Sequence, residues 1–198
     1  MSSRTPRTFP AVLGLALASV LLLAGCNSLG GTNSGGYIEG NGQVRQIAVA
    51  DRADPVQLAG ETLEGDPIDL ADFRGQVVVV NVWWSQCGPC ISEMAMLTRT
   101  AGEYAGKASF VGINTRDSSA DNGLAFQRDR GVDYPSIYAS GDKGGEALLA
   151  FDGRITVNAV PTTAILDKQG RVAAVINGPI PSQLTLTDVI DELAAEDG

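Results

Sequence analysis

The sequence predicts an α/β domain with a central mixed β-sheet flanked by helices. The near-continuous β-branched run from Val77 to Trp83 is typical of a central strand that is covered on both faces. Strand-like and helix-like segments then alternate along the chain, as in sheets whose parallel strands are joined by helices. A hairpin pattern near the C-terminus adds antiparallel neighbours, so we expect mixed strand directions.

A helix, a strand and a second helix are predicted directly after this run. Apolar spacing indicates a helix over residues 91–104 and a buried strand over residues 109–115. Ser119 or Asp121 can cap the next helix, which Gly131 ends. In this order, one helix precedes the second strand in the chain and another follows it.

The C-terminal part is predicted to be a hairpin followed by a helix. Residues 162–167 and 171–176 are two apolar runs, and Gly170 closes the short loop between them. The last helix is expected over residues 187–195, with Asp188 in its first turn, where negative charge is favoured.

Cys87 and Cys90 form a Cys-x-x-Cys pair between the predicted central strand and its helix. Two thiols at this spacing can close a small disulfide, and a helix N-terminus stabilises a thiolate on the first. Zinc would need further ligands, but the chain has no histidine and only one other cysteine, Cys26. A disulfide across so short a loop removes little unfolded-chain entropy, although a structural disulfide remains the alternative. We predict a redox centre without a metal or other cofactor.

Residues 1–25 are predicted to be a lipoprotein signal peptide. Arg4 and Arg7 precede an apolar stretch over residues 11–24, which is shorter than the roughly 20 residues that span a bilayer. The stretch ends in the letters LAGC, similar to a bacterial lipobox in which Cys26 receives a diacylglyceryl group and becomes the mature N-terminus. Two acyl chains would anchor the protein stably. An ordinary secretory signal and a short uncleaved anchor are the alternatives.

The rest of the chain is predicted to be a tether and one domain. Residues 26–50 form the lipidated N-terminus and a flexible tether, because the Gly, Ser, Asn and Thr over 27–42 cannot bury enough apolar surface to order. Residues 51–198 form a domain of ordinary size. The net charge of −9 argues against nucleic acid as a partner. We expect a monomer outside the cytoplasm, held at the membrane by its lipid.

Five stretches together resemble the membrane-tethered TlpA/ResA-like thiol-disulfide oxidoreductases of the thioredoxin superfamily. In the family's order they are residues 63–75 with Leu-Glu-Gly and Phe-Arg-Gly, residues 80–90 with Cys-Gly-Pro-Cys, Gly-Ile-Asn at 112–114, Gly-Val-Asp-Tyr-Pro at 131–135, and Val-Pro-Thr-Thr at 160–163 with Gly170. The resemblance extends over residues 54–193. It implies a thioredoxin-like fold in which residues 118–151 are the insertion of this group.

The resemblance also implies a client-binding surface around the redox pair. Pro161 would be a cis-proline facing the disulfide, which would leave the backbone of Val160 free to pair with an extended client segment. The other residues expected to contact clients are Trp84, Gln86, Gly88 and Pro89. Trp83 is expected to pack in the core instead.

Two positions bear on proton transfer. Asn81 occupies the place of a buried aspartate that moves protons in cytoplasmic thioredoxins, and an amide cannot do this. Glu93 is one helical turn after Cys90 and matches an acidic residue found near the disulfide of ResA-like proteins. It is a candidate catalytic residue, and an exposed helix glutamate is the alternative.

The predicted reaction is thiol-disulfide exchange, in which Cys87 forms a mixed disulfide with the client and Cys90 resolves it. The thioredoxin-like dipeptide Gly88-Pro89 favours a reductant of secreted or membrane-associated proteins such as apocytochrome c, supplied by a membrane-embedded redox partner. The alternatives are an extracytoplasmic thiol oxidase, a peroxidase, and a non-catalytic binding lipoprotein with a structural disulfide. A chain without histidine is a poor copper carrier.

Overall fold

The structure is a computed structural model, and it describes residues 44–155, 158 and 160–196. The predicted signal peptide, Cys26 and most of the predicted tether lie outside these residues. Within the described ranges, no helix combines the length and hydrophobicity needed to cross a membrane.

The described residues form eight strands and four α-helices. In chain order they are β1 (Val44–Gln46), β2 (Ala59–Glu61), β3 (Pro67–Asp69), β4 (Val77–Trp83), α1 (Gly88–Glu103), β5 (Ala108–Asn114), α2 (Ala120–Asp129), β6 (Ser136–Tyr138), α3 (Asp142–Leu149), β7 (Thr162–Leu166), β8 (Val172–Asn177) and α4 (Gln183–Ala195). Two 3-10 turns, Val49–Asp51 and Leu70–Phe73, lie on either side of β2 and β3.

Six of these strands form one mixed sheet in the order β1-β8-β7-β4-β5-β6, and β2 and β3 form a separate hairpin. β4 pairs in parallel with β5, and β5 with β6, whereas β7 runs antiparallel to both β4 and β8. The carboxyl ends of β4, β5 and β6 therefore meet at one edge of the sheet. This arrangement confirms the predicted mixed sheet.

β4 is covered on both faces, as its β-branched sequence predicts. All seven of its residues are buried, and alternate residues enter two core clusters. The cluster that contains Val77 and Val79 includes side chains of α1 and α4, whereas the cluster of Val78, Val80 and Val82 includes side chains of α3. Helices thus flank the sheet on both sides.

The helix starts differ from those expected. α1 begins at Gly88 rather than at residue 91, because Pro89 is well tolerated in a first turn, where a backbone N–H has no partner to lose. α4 begins at Gln183 because the Ser182 hydroxyl caps it by accepting the Thr185 N–H. The placement of Asp188 in the first turn of the last helix is therefore wrong. Of the two candidate caps for α2, Ser119 is the one used.

The sequence analysis did not predict the short strands β1 and β6. Residues 118–151, expected as the insertion, contain α2, β6 and α3. Neither β6 nor the edge strand β1 exceeds three residues, which is too short for a period-two pattern to be recognised. The predicted C-terminal hairpin is confirmed as β7 and β8, and Gly170 has a φ of 79° in the connecting loop.

Candidate active site

Cys87 and Cys90 lie at the start of α1 and form a disulfide. Cys87 is the N-cap residue, and its sulfur accepts the backbone N–H of Cys90 at 3.2 Å. Its own N–H donates to the Trp84 carbonyl at 3.2 Å, which closes a turn between β4 and the helix. Cys87 is 6% exposed and Cys90 is fully buried. Cys87 therefore combines the better access with the favourable electrostatics of a helix N-terminus.

The residues predicted to contact clients surround this turn. Gln86, Gly88 and Pro89 are exposed, and Trp84 is half-buried. Trp83 is buried in the core, as expected, and its indole N–H donates to the Ser136 hydroxyl at 3.2 Å. The exposed positions are thus the neighbours of Cys87 and Cys90 in the chain, and their contact with clients stays a prediction.

The Val160–Pro161 peptide bond is cis, as the resemblance implied. Pro161 is buried and Val160 is half-buried. Pro161 directly precedes β7, whose first residue, Thr162, pairs with Val82 near the end of β4. The strand pairing therefore brings Val160 and Pro161 to the edge of the sheet from which the redox turn projects.

A groove beside the disulfide involves a loop that the sequence did not indicate. Its volume is about 340 Å³, and α1 lines one side with Pro89, Glu93 and Met96. The loop between β8 and α4 lines the other side with residues 179–182. A Pro-Ile-Pro sequence at 179–181, one residue after the end of β8, was the available signal, because two prolines stiffen a loop and remove its backbone donors.

Glu93 is buried beneath this groove, at 5% exposure, so the alternative of an exposed helix glutamate is wrong. One carboxylate oxygen accepts the Asn81 side-chain N–H at 3.0 Å, and the other accepts the backbone N–H of Ile180 at 3.0 Å. Burial raises the pKa of Glu93 above its ordinary value of 4.5, and the two hydrogen bonds oppose this effect only in part.

Asn81 positions the Glu93 carboxylate rather than carrying protons itself. Asn81 is 1% exposed, and its amide also donates to the Thr163 hydroxyl at 3.0 Å. Both amide N–H groups are therefore engaged, which fixes the orientation of the side chain. The carboxylate that Asn81 holds lies on the helix, one turn after Cys90.

No group of three or more His, Cys, Asp or Glu side chains in the described residues has the arrangement of a metal site. The site consists of the Cys87–Cys90 disulfide, one buried carboxylate and a largely apolar groove, a set suited to sulfur and proton transfer.

The sequence matches a family model described as Redoxin over residues 48–193. Curated relatives include the thiol-disulfide oxidoreductase ResA of Halalkalibacterium halodurans, which is 29% identical over 133 residues, or 65% of this chain and 69% of that protein. The ResA of Bacillus thuringiensis is 27% identical over 159 residues, or 80% of this chain and 85% of that protein.

Solved structures show the same fold. A DsbF homologue from Corynebacterium diphtheriae is 36% identical with a TM-score of 0.70, and the match covers 82% of this chain and all of that chain. A secreted thiol-disulfide isomerase from Corynebacterium glutamicum is 32% identical with a TM-score of 0.71, covering 84% of this chain and all of that one. The thioredoxin-like fold expected from the sequence is thereby confirmed.

The unequal exposure of the two cysteines predicts unequal roles. Cys90→Ser should trap mixed disulfides through Cys87, because the resolving thiol is absent. Cys87→Ser should trap at least about tenfold less, because the remaining thiol is buried. Mass spectrometry of trapped species measures both. Equal trapping by the two variants would refute the assignment.

Glu93→Gln should change stability and thiol reactivity in a pH-dependent way. Because folding raises the pKa of Glu93, its stabilising contribution is complete below the ordinary value of 4.5 and is lost as pH rises through the folded-state pKa. In that window the wild type should lose up to about 1.4 kcal/mol per pH unit relative to the variant, measured by urea unfolding. Above it, loss of the negative charge should lower the pKa of Cys87, read from alkylation rates.

Glu103→Gln is the matched control for this variant, because Glu103 lies on the same helix but is exposed. Parallel pH profiles for Glu93→Gln and the wild type, in both unfolding and alkylation, would contradict the prediction.

Proposed function

This chain belongs to the Redoxin family and is a thiol-disulfide oxidoreductase, and we propose that it works as a membrane-anchored reductase outside the cytoplasm. Its clients would be disulfide-containing secreted or membrane-associated proteins, apocytochrome c among them. The observation that carries the proposal is the Cys87–Cys90 disulfide at a helix start, beside an open groove. The dipeptide Gly88-Pro89, shared with thioredoxin, favours the reducing direction.

In the proposed reaction the Cys87 thiolate attacks one sulfur of a client disulfide. The client's other sulfur leaves as a thiolate, and a mixed disulfide joins the client to Cys87. The Cys90 thiolate then attacks the Cys87 sulfur, and the second client thiolate leaves. The client gains two electrons, and the protein is left with its own disulfide. A dithiol partner in the membrane would return the protein to the reduced form.

Glu93 is the proposed proton acceptor for Cys90. A buried thiol does not ionise readily, so the resolving step needs a nearby base. Glu93 is on the same side of the helix one turn on, and burial raises its pKa towards the range in which a carboxylate exchanges protons effectively. The hydrogen bond from Asn81 holds the carboxylate in a fixed orientation.

The groove between α1 and the β8–α4 loop is the proposed client-binding surface, together with Val160. Its lining is largely apolar, with Met96, Ile180 and three prolines. An extended client segment could place an apolar side chain there while its backbone pairs with Val160. Pro89 and Gly88 border the path between this groove and Cys87.

An extracytoplasmic location is supported by the sequence of residues 1–26 and by the thiol-disulfide isomerase of Corynebacterium glutamicum, which is described as secreted. Such compartments are oxidising, so a reductase there needs electrons from across the membrane. A lipid anchor on Cys26 would keep the domain next to a membrane-embedded donor.

The reduction potential of the Cys87/Cys90 couple tests the direction. A reductase should have a potential nearer to the value of about −270 mV for thioredoxin than to the value of about −120 mV for the oxidant DsbA. Equilibration with glutathione buffers, read by alkylation and mass shift, gives the value. A potential near the DsbA value would support the oxidase alternative. A disulfide that resists mild dithiols would support a structural role.

Membrane anchoring is tested through Cys26. The wild type should incorporate labelled fatty acid and sediment with membranes, whereas Cys26→Ala should lose the label and be released or misprocessed. Cys87→Ala is the control, because it removes a thiol but leaves the LAGC sequence intact. Absence of label on the wild type would exclude the lipid anchor without affecting the oxidoreductase assignment.

A further inference from the structure

A second buried carboxylate contacts the turn that precedes Cys87. Asp117 is 2% exposed and lies three residues beyond the end of β5. Asn114, the last residue of β5, pairs with Trp83 at the end of β4, so the loops that follow the two strands run side by side. Asp117 is thereby brought next to Ser85, although 32 residues separate them.

Asp117 holds Ser85 through both the backbone and the side chain. One carboxylate oxygen accepts the Ser85 N–H at 3.0 Å, and the other accepts the Ser85 hydroxyl. The Asn114 amide donates to the first oxygen at 2.6 Å. Carboxylate oxygens are strong hydrogen-bond acceptors, and three donor groups converge on the two oxygens of Asp117.

The loop that carries Asp117 is itself tightly held. The Thr115 N–H donates to the Trp83 carbonyl at 3.2 Å, and the Ala139 N–H donates to the Asn114 carbonyl at 2.8 Å. The Tyr138 hydroxyl donates to the Asp117 backbone carbonyl at 3.3 Å. Asp117 therefore connects the redox turn to β6. β6 lies within residues 118–151, which the sequence indicated as the insertion.

We infer that Asp117 is a positioning residue for thiol-disulfide exchange, which holds the Ser85–Cys87 turn so that the Cys87 sulfur faces the client. Ser85 is two residues before Cys87 and lies within the turn closed by the bond from the Cys87 N–H to the Trp84 carbonyl. The bonds to Asp117 fix the orientation of that turn relative to the sheet. Because misplacement by about 1 Å can reduce a rate by about a hundredfold, a fixed turn matters when sulfur attacks sulfur along a defined line.

Two substitutions at Asp117 separate positioning from charge. Asp117→Ala removes all three hydrogen bonds. Asp117→Asn removes the charge but can keep the three contacts, because its carbonyl oxygen can accept both N–H groups while its amide donates to a rotated Ser85 hydroxyl. Asp121→Asn, on the exposed face of α2, is the control for loss of one negative charge nearby.

Two rates are measured on the reduced full-length protein. The pH is high enough for Cys87 to be fully ionised, and the temperature is well below the melting temperature of each variant. One is exchange with insulin, whose disulfide must be approached in a defined geometry. The other is alkylation by iodoacetamide, located at Cys87 by tandem mass spectrometry. Their ratio is insensitive to a general loss of stability or to a shift in the pKa of Cys87.

Asp117→Ala should lower the ratio of exchange to alkylation about tenfold or more, whereas Asp117→Asn and Asp121→Asn should stay within about twofold of the wild type. An unchanged ratio for Asp117→Ala, or equal losses for Asp117→Ala and Asp117→Asn, would overturn the inference. If Asp117→Ala does not fold, Ser85→Ala replaces it: a ratio at least about twofold lower supports positioning, and an unchanged ratio overturns it.

The inference rests on the proposed role of Cys87. Exchange by the wild-type protein distinguishes a failure of the proposed function from a failure of the Asp117 role alone. If the wild type itself fails to exchange with insulin or any disulfide client, the proposed function fails. If the wild type exchanges and Asp117→Ala does so equally well, only the role of Asp117 fails.

Discussion

Burial of β4 on both faces is the constraint on which the rest of the structure depends. A strand packed between two core clusters cannot shift its register without moving every side chain to the opposite face. Its end is therefore fixed, and so is the start of the helix that follows it. Parallel pairing with β5 and antiparallel pairing with β7 then bring the Asp117 loop and Pro161 to the same edge. The redox site is the consequence of where this one strand stops.

The position of the Glu93 carboxylate on α1, rather than on β4, determines which parts of the protein it contacts. From the helix, Glu93 reaches both the central strand through Asn81 and the β8–α4 loop through Ile180. Its two hydrogen bonds are charge-assisted when it is ionised, and are therefore stronger than bonds to a neutral acid. Uptake of a proton at Glu93 would weaken the attachment of the loop that forms one wall of the groove. Under the proposed function, Glu93 would therefore link proton transfer to client binding through a single side chain.

Local sequence patterns predicted two parts of this site, the central strand and the cysteine pair that follows it. The run from Val77 to Trp83 specified a buried strand, and the spacing of Cys87 and Cys90 specified a redox pair whichever fold surrounded them. The cis state of Pro161 came only from the resemblance, since X-Pro bonds in folded proteins are cis in only about 5–6% of cases.

Features created by distant contacts could not be predicted from local sequence. The hydrogen-bond donors to Glu93 are 12 and 87 residues away, and the proposed role of Asp117 depends on a partner 32 residues away. A helix glutamate and a loop aspartate have no local signature that separates a buried carboxylate from a solvated one. Asp117 accepts hydrogen bonds from Ser85, two residues before Cys87, and Glu93 accepts one from Ile180 in the loop that lines the groove. Cys87 and Cys90 lie between Ser85 and Glu93 in the chain, so under the proposed roles two carboxylates that need not touch either sulfur would set the geometry of exchange.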